Sequence, residues 1–159
     1  MTLGLAIAVA TFAIDQANKW WFIAGLGMSE GQTIELTSFL NLYYTRNLGV
    51  SYGLFQLNSD FGQRILAGIA VLISLGFLVW LIRTGSRLAG VAIGLIVGGA
   101  LGNALDRITL GGVADFYQLH GFGYSWYIFN IADVAIVLGA GLLILQTLFF
   151  DEAASQSGT

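Results

Sequence analysis

The stretch GGALGNALDRITLGGVADFYQLHGFGYSWYIFNIADV, residues 98–134, holds three aspartates, an arginine and two asparagines between two segments apolar enough to cross a membrane. Asp106 and Arg107 stand where the first apolar run ends, and Asp133 stands at the start of the second. Asp115 lies between them, in what we interpret as a loop flanked by glycines. Ionised groups in or beside hydrocarbon are costly unless they are paired or hydrated, so such residues are functional candidates. The stretch predicts that Asp115 and Asp133 meet at a membrane surface and carry out chemistry there.

Composition places the chain among membrane proteins. Its 159 residues are 57% hydrophobic and 9% charged, with a mean hydropathy of +0.80, which predicts a single integral membrane domain over residues 1–159. The net charge of -3 comes from few groups and forms no basic patch, so no nucleic-acid partner is expected. The absence of cysteine and the presence of one histidine argue against thiolate or histidine-rich metal sites, so we expect no metal and no cofactor. We interpret the apolar N-terminus as a retained helix.

Four apolar segments predict transmembrane helices at about residues 3–24, 65–82, 88–105 and 131–150. A helix needs about 20 apolar residues to span a bilayer. The RTGSR connection at 83–87 is so short that the helices on either side of it must be antiparallel, and its two arginines favour the cytoplasmic face. We therefore expect cytoplasmic termini, with the longer loops at about 27–60 and 106–130 on the other side of the membrane.

Two of these helices carry further patterns. The first reaches spanning length only by including Asp15 and Lys19, which are four residues apart and can pair on one helical face. This pair is either a snorkelling lysine with its local counter-ion or part of a helix face that lines a site. The third helix has a glycine at every fourth position, which predicts a groove where another helix approaches closely; these residues are Gly90, Gly94, Gly98 and Gly102.

Both long loops contain strand-like patterns. In TIELTSFLNLYYT, residues 33–45, polar and apolar residues alternate, which predicts one or two short strands. GGVADFYQL at 111–119 and GFGYSWYIF at 121–129 fit either short aromatic strands or an interfacial half-helix. The predicted fold is an all-α membrane protein with four transmembrane helices and a small extracytoplasmic β-rich cradle from the first and third loops. We expect six aromatic residues to roof a cleft there or to anchor at the interface: Tyr43, Tyr44, Phe116, Tyr117, Trp126 and Tyr127.

Two neighbouring carboxylates cannot both ionise comfortably, so one keeps a proton while the other stays charged. Such a pair can deprotonate a water, direct it at an amide carbonyl and protonate the departing nitrogen. Arg107 offers a cation for Asp106, which leaves Asp115 and Asp133 as the active pair, and the Asn130 amide can hydrogen-bond near them. His120, a lone loop histidine, is expected to be solvated and without a role.

Four blocks of the chain resemble the lipoprotein signal peptidases (signal peptidase II), which are intramembrane aspartyl proteases of bacteria. The blocks are DQANK at 15–19, RNLGVSYGLF at 46–55, GGALGNALDR with VADF within 98–116, and FNIADV at 129–134. The resemblance implies that Asp115 and Asp133 are the catalytic dyad. It also implies that nine residues shape or support the site: Asp15, Lys19, Asn47, Gly49, Asn103, Asp106, Arg107, Asn130 and Ala132.

The same resemblance implies a substrate and a location. The substrate would be the signal peptide of a prolipoprotein, cut just before a cysteine that already carries diacylglycerol, and globomycin-type peptides would inhibit the enzyme. The chain would lie in the bacterial cytoplasmic (inner) membrane, in contact with membrane lipid, with its active site at the extracytoplasmic face. A four-helix enzyme can work alone, so we expect a monomer. Two departures are Tyr52, where phenylalanine is common, and an acidic, polar tail from Asp151, where many members end basic.

Two other functions fit parts of the pattern. A four-helix proton or ion carrier uses intramembrane carboxylates as a relay, although such relays run across the bilayer and these acids gather at one end. A structural membrane subunit would tolerate the glycines and aromatic belts but does not need gathered aspartates. Removing each acid distinguishes these cases, because only a peptidase has peptide cleavage to lose.

Overall fold

The computed structural model describes residues 1–49 and 59–148. These residues contain four α-helices and an antiparallel sheet of four strands. The helices are α1 (Thr2–Trp20), α2 (Asp60–Arg83), α3 (Arg87–Thr109) and α4 (Ile131–Gln146), and α1 continues into a π-helical turn at Trp21–Gly25. The strands are β1 (Thr33–Thr37), β2 (Leu40–Asn47), β3 (Val113–Gly121) and β4 (Tyr124–Phe129). Three expectations lie outside the described residues: the residue at position 52, the tail from position 151, and the end of the fourth helix at 150.

Side-chain caps set the starts of three helices. Ser59 accepts a hydrogen bond from the Gly62 N–H, so α2 begins at Asp60, earlier than the predicted position 65. Ser86 caps α3 in the same way. At α4, the side chains of Asn130 and Asp133 each accept a hydrogen bond from the other residue's backbone N–H, which is a capping box.

The third helix is longer than predicted. It continues to Thr109, so Asp106 and Arg107 lie in its last turns rather than in the loop that was expected to begin at 106. The i,i+4 spacing of the polar residues here is compatible with a helix, and no proline interrupts the chain. Helical geometry therefore holds both charged side chains on a rigid element.

Helix α3 is the centre of the helical layer, because it packs against each of the other three α-helices. Its glycines allow this. A Cβ at Gly94 or Gly98 would lie 2.5 Å from a backbone carbonyl oxygen of α1, and one at Gly99 would lie 2.6 Å from the Ala132 carbonyl oxygen of α4. The predicted glycine groove is therefore a contact surface for α1, and Gly99 adds a second contact, with α4.

Among the described residues, α2 and α3 are long and apolar enough to cross a membrane, with mean hydropathies of 2.7 and 1.9. Helix α4 is apolar but shorter as described. Helix α1 carries Asp15 and Lys19 in its C-terminal half. Of the 18 consecutive residues with the highest mean hydropathy in each helix, 17% are buried in α2 and 67% in α3. Helix α2 therefore presents most of its apolar surface outward.

The sheet joins the two long loops. Its strand order is β1-β2-β3-β4, and β2 pairs with β3 although α2 and α3 separate them in the chain. This pairing sets Thr45 opposite Asp115 and Asn47 opposite Val113. Asp115 therefore lies in a strand, not in the glycine-flanked loop that was expected.

The two aromatic segments of the third loop are strands rather than an interfacial half-helix, and they form a β3–β4 hairpin that turns at Phe122 and Gly123, both with positive φ. Not all six aromatic residues roof a cleft. Phe116 and Tyr44 stack with ring centroids 4.9 Å apart in the buried core of the sheet, beside Phe22. These rings fasten the sheet to the end of α1.

We expect Gly98→Ala to destabilise the protein, because the new Cβ would meet the Ala8 carbonyl oxygen of α1 at 2.5 Å. Overpacking of this kind costs about 1–3 kcal/mol. Gly76→Ala in α2 is the matched control, since a Cβ there meets nothing within 4 Å. Thermal unfolding followed by circular dichroism should show a lower midpoint for the first variant only; equal midpoints would contradict the close packing of α1 on α3.

Candidate active site

The site is organised around a buried ammonium group. Lys19 Nζ lies 2.8 Å from Asp15 Oδ2 and 2.7 Å from Asp106 Oδ2, and it donates to Asn103 Oδ1 at 3.1 Å. The Lys19 side chain is only 3% exposed, so it does not snorkel to the surface. Asp106 pairs with Lys19 and not with Arg107, which corrects the pairing expected from the sequence. All three N–H donors of the ammonium have a partner, as a buried charge requires.

The two carboxylates of this cluster also hold the backbone beside the predicted dyad. Asp15 Oδ1 accepts from the Ala132 N–H at 2.9 Å, and Ala132 directly precedes Asp133. Asp106 Oδ2 accepts from the Ala114 N–H at 3.2 Å, and Ala114 directly precedes Asp115. One ion-pair cluster therefore sets the position of both dyad residues.

Two asparagines connect the dyad side chains. Asn130 Nδ2 donates to Asp115 Oδ1 at 2.6 Å and to Asn103 Oδ1 at 3.2 Å. Asn103 Nδ2 in turn donates to Asp133 Oδ1 at 2.9 Å, while the Asn130 N–H donates to Asp133 Oδ2 at 3.2 Å. Asp115 and Asp133 thus belong to one hydrogen-bonded network, although 18 positions and a hairpin separate them in the chain.

The end of β2 supplies further hydrogen bonds to this network. Asn47 Nδ2 donates to Asp115 Oδ2 at 3.2 Å and to the Tyr127 hydroxyl at 2.9 Å, while its Oδ1 accepts from the Gly49 N–H. Arg107 donates to the Gly49 carbonyl at 3.1 Å and to the Asn103 carbonyl at 3.2 Å. Asn47 is therefore a direct hydrogen-bond partner of Asp115.

A cavity of about 540 Å³ opens beside this network. Asp133, Asn103, Asn47 and Arg107 lie at its polar end. Its remaining walls are largely apolar and come from α2, α3, α4 and the sheet, with Ala70, Ala100, Val134, Val137, Leu138 and Trp126 among them. Asp133 borders this cavity, and Asp115, which is 1% exposed, is hydrogen-bonded to the cavity residue Asn47.

The Asp115 carboxyl is strongly perturbed. Burial, together with the negative charge of Asp133, raises the pKa of Asp115 from 3.8 to about 7, against the hydrogen bonds from Asn130 and Asn47, which favour its charged form. Asp133 lies in the first turn of α4, where the positive end of the helix dipole and two N–H donors stabilise a negative charge. The two environments differ, since burial favours the neutral form of Asp115 while N–H donors at a helix start favour the charged form of Asp133.

Sequence reasoning missed two members of the site. Gln16 donates to Asp15, Asp106 and the Gly102 carbonyl, and its signal was an uncharged polar residue beside Asp15 in an apolar helix. Tyr127 was considered only as a roof or anchor, yet its hydroxyl accepts from Asn47. His120 lies away from the dyad, with its Nε2 3.0 Å from Asn41 Oδ1.

The chain is similar to characterised families over nearly all its length. A family model described as signal peptidase (SPase) II matches residues 7–149. The "Lipoprotein signal peptidase" of Methylocella silvestris is 45% identical over 98% of this chain and 91% of its own, and that of Methylorubrum extorquens is 48% identical over 91% and 85%. A solved bacterial membrane enzyme matches with a TM-score of 0.79 and 32% identity, covering 93% of this chain and 88% of its own.

A second solved bacterial membrane enzyme has a TM-score of 0.78 and covers 94% of this chain and 95% of its own. These matches agree with the fold described above and with a membrane protein. The chain therefore belongs to the signal peptidase II family, whose members are aspartic proteases.

Proposed function

We propose that the protein is a membrane endopeptidase that removes the signal peptide from diacylglyceryl-modified prolipoproteins, cutting just before the lipidated cysteine. Asp115 and Asp133 are its catalytic dyad. The observation that carries this proposal is the shared network of Asn130 and Asn103, which links a buried Asp115 of raised pKa to an Asp133 that borders an apolar cavity. The family membership supports the substrate class.

The proposed chemistry divides between the two acids. The Asp133 carboxylate takes a proton from a water, and the resulting hydroxide attacks the carbonyl carbon of the scissile peptide bond. Asp115, whose pKa of about 7 leaves it partly protonated at neutral pH, gives its proton to the carbonyl oxygen as negative charge develops there. When the tetrahedral intermediate collapses, the proton gained by Asp133 passes to the departing nitrogen. One hydroxyl group of the intermediate returns its proton to Asp115. The dyad is thereby restored.

The remaining polar residues act as supports in this mechanism. Lys19, Asp15 and Asp106 hold the backbone on both sides of the dyad through the N–H groups of Ala132 and Ala114. Asn47 and Asn130 orient Asp115, and Asn103 orients Asp133. Arg107 links the carbonyl groups of Gly49 and Asn103, which ties the end of the β2 segment to α3.

The cavity suits a substrate that is part lipid. Its polar end contains Asp133, and its apolar walls, formed partly by the outward-facing α2, can receive acyl chains or the hydrophobic segment of a signal peptide. We propose four membrane crossings in the bacterial cytoplasmic membrane, with the termini and the 83–87 connection on the cytoplasmic side. The β-rich cradle and the dyad then face the extracytoplasmic side. We further propose that the enzyme works as a monomer and is inhibited by globomycin-type peptides.

We expect Asp115→Asn and Asp133→Asn each to lower cleavage at least about 100-fold, because each removes a proton donor or acceptor from the reaction. Asparagine is close in shape to aspartate, so the unfolding midpoint should stay near that of the wild type. The measurement is a gel-shift assay of a diacylglyceryl prolipoprotein with purified protein in detergent. His120→Ala is the control and should cleave normally. Activity retained by either asparagine variant would refute the dyad.

We expect the lipid on the substrate to be required. A prolipoprotein without its diacylglyceryl group lacks the apolar surface that the cavity walls would bury, and burial of apolar surface is worth roughly 25 cal/mol per Å². The two substrates, compared in the same gel-shift assay, should differ strongly in kcat/KM. Equal rates would leave the dyad in place but would remove the proposed substrate class.

We expect kcat/KM to fall as the pH rises through about 7, because the free enzyme then loses the Asp115 proton. Asn47→Ala removes an N–H that stabilises ionised Asp115, so the pKa of Asp115 should rise and the alkaline fall should move to higher pH. The pH profile of His120→Ala should match the wild type, which excludes the histidine as the titrating group. A shift of the alkaline fall to lower pH in Asn47→Ala would contradict this assignment.

A further inference from the structure

A second cavity lies on the other side of Arg107 from the candidate active site. We call it the α2–α3 polar cavity, and its volume is about 280 Å³. It is bordered by the first two turns of α2, including Asp60 and Arg64, by Arg107 at the end of α3, and by the turn at residues 109–111. Arg107 borders both cavities, but the mechanism proposed above uses only its contacts with Gly49 and Asn103.

The charges around this cavity are not paired with each other. Among the described residues, neither Arg64 nor Asp60 has an ion-pair partner, although they are four residues apart on α2. The Nε atom of Arg107 is buried and, within the described part of the chain, has no hydrogen-bond partner. Buried donors are almost always satisfied, so this N–H indicates an acceptor outside the described residues, and an anion in the adjoining cavity is one candidate.

The backbone adds to this positive field. The first N–H groups of a helix lack intrahelical acceptors, and in α2 the Ser59 side chain takes only that of Gly62. Asp60 and Arg64 border this cavity, so the start of α2, which is the positive end of its dipole, lies beside it, and this arrangement favours an oxyanion. Arginine is well suited to phosphate because its planar N–H groups can bind two oxygens together.

We propose that the α2–α3 polar cavity binds the phosphodiester group of a phospholipid headgroup. Two arginines and Asp60 leave a net charge of +1, which matches a phosphodiester with its single negative charge better than a dianionic phosphate. The cavity lies at the same ends of α2 and α3 as the dyad, which the proposed function sets at the membrane surface. The choice of a lipid as the source of the phosphate rests on that placement; the anion chemistry rests on the cavity alone.

Binding can be measured without any peptide cleavage, so this proposal and the proposed peptidase can fail separately. The protein in a neutral maltoside detergent is titrated with dihexanoyl phosphatidylglycerol, and the apparent Kd is taken from the rise in the thermal unfolding midpoint. The corresponding diacylglycerol, which lacks phosphate, should have no saturable effect. Inorganic phosphate should bind more weakly than the phospholipid.

Three substitutions test the residues. Arg64→Gln should weaken phosphatidylglycerol binding about tenfold, the loss expected for one charge-assisted contact. Arg83→Gln, at the other end of the same helix and also exposed, should leave the apparent Kd unchanged. Asp60→Asn should tighten binding, because it removes the opposing negative charge, and a gain of affinity cannot come from misfolding.

Two outcomes would overturn this proposal, and one would support it. Equal weakening by Arg64→Gln and Arg83→Gln would overturn the site, since it would show only a general attraction to basic surface. Inorganic phosphate that binds as tightly as the phospholipid, with the same dependence on Arg64, would overturn the headgroup and establish a free-phosphate site. Tightening in Asp60→Asn together with loss in Arg64→Gln, for the phospholipid alone, is the result we expect.

Discussion

The Lys19 ammonium group forms ion pairs with two buried carboxylates, and the geometry of the candidate site depends on these ion pairs. Asp15 and Asp106 are 0% and 2% exposed, so each would carry a large desolvation cost if it were unpaired. Paired with one lysine, they remain free to accept the N–H groups of Ala132 and Ala114. An electrostatic cluster outside the proposed chemistry therefore sets the backbone positions on both sides of the dyad, and it joins α1, α3, α4 and β3 in one place.

Close helix packing makes this cluster possible. The Lys19 side chain reaches Asp106 and Asn103 only because α1 lies directly against the glycine surface of α3. At Gly102 a Cβ would lie 2.6 Å from Asp15 Oδ2, so this position leaves room for the carboxylate itself. The glycines thus serve the polar site as well as the apolar contact, since a larger residue would push the charges apart and leave them buried and unpaired.

The two dyad acids differ because different kinds of secondary structure hold them. Asp115 projects from a strand whose neighbours, Ala114 and Phe116, are both 0% exposed, and burial of this kind favours a neutral carboxyl. Asp133 lies in the first turn of a helix, where backbone N–H groups and the helix dipole favour a charge. One acid therefore lies in a strand and the other at the start of a helix, and asparagine amides link them. This difference gives the two carboxyl groups the different proton affinities that acid–base chemistry requires.

Much of this molecule could be predicted from local patterns in the sequence. The apolar runs indicated the helices, alternation indicated the strands of residues 33–45, and the pairing of Asp15 with Lys19 followed from their spacing on one helix turn. The contact of Asn130 with Asp133 is equally local, because it is a capping box within four residues. Asp133 was nominated by its position at the start of an apolar run and Asp115 by its position between two such runs, and the resemblance to signal peptidase II implied both.

Only the tertiary structure decided which charges meet. Lys19 rather than Arg107 pairs with Asp106, and that contact depends on the packing of α1 against α3. Asn47 reaches Asp115 because β2 pairs with β3 across two intervening helices, in a register that no local periodicity encodes. Spacing along a chain determines contacts within a helix turn or a cap, where the geometry is fixed by the backbone. Contacts between distant segments depend on how whole helices and strands bury their surfaces, so their partners emerge only when the fold is complete.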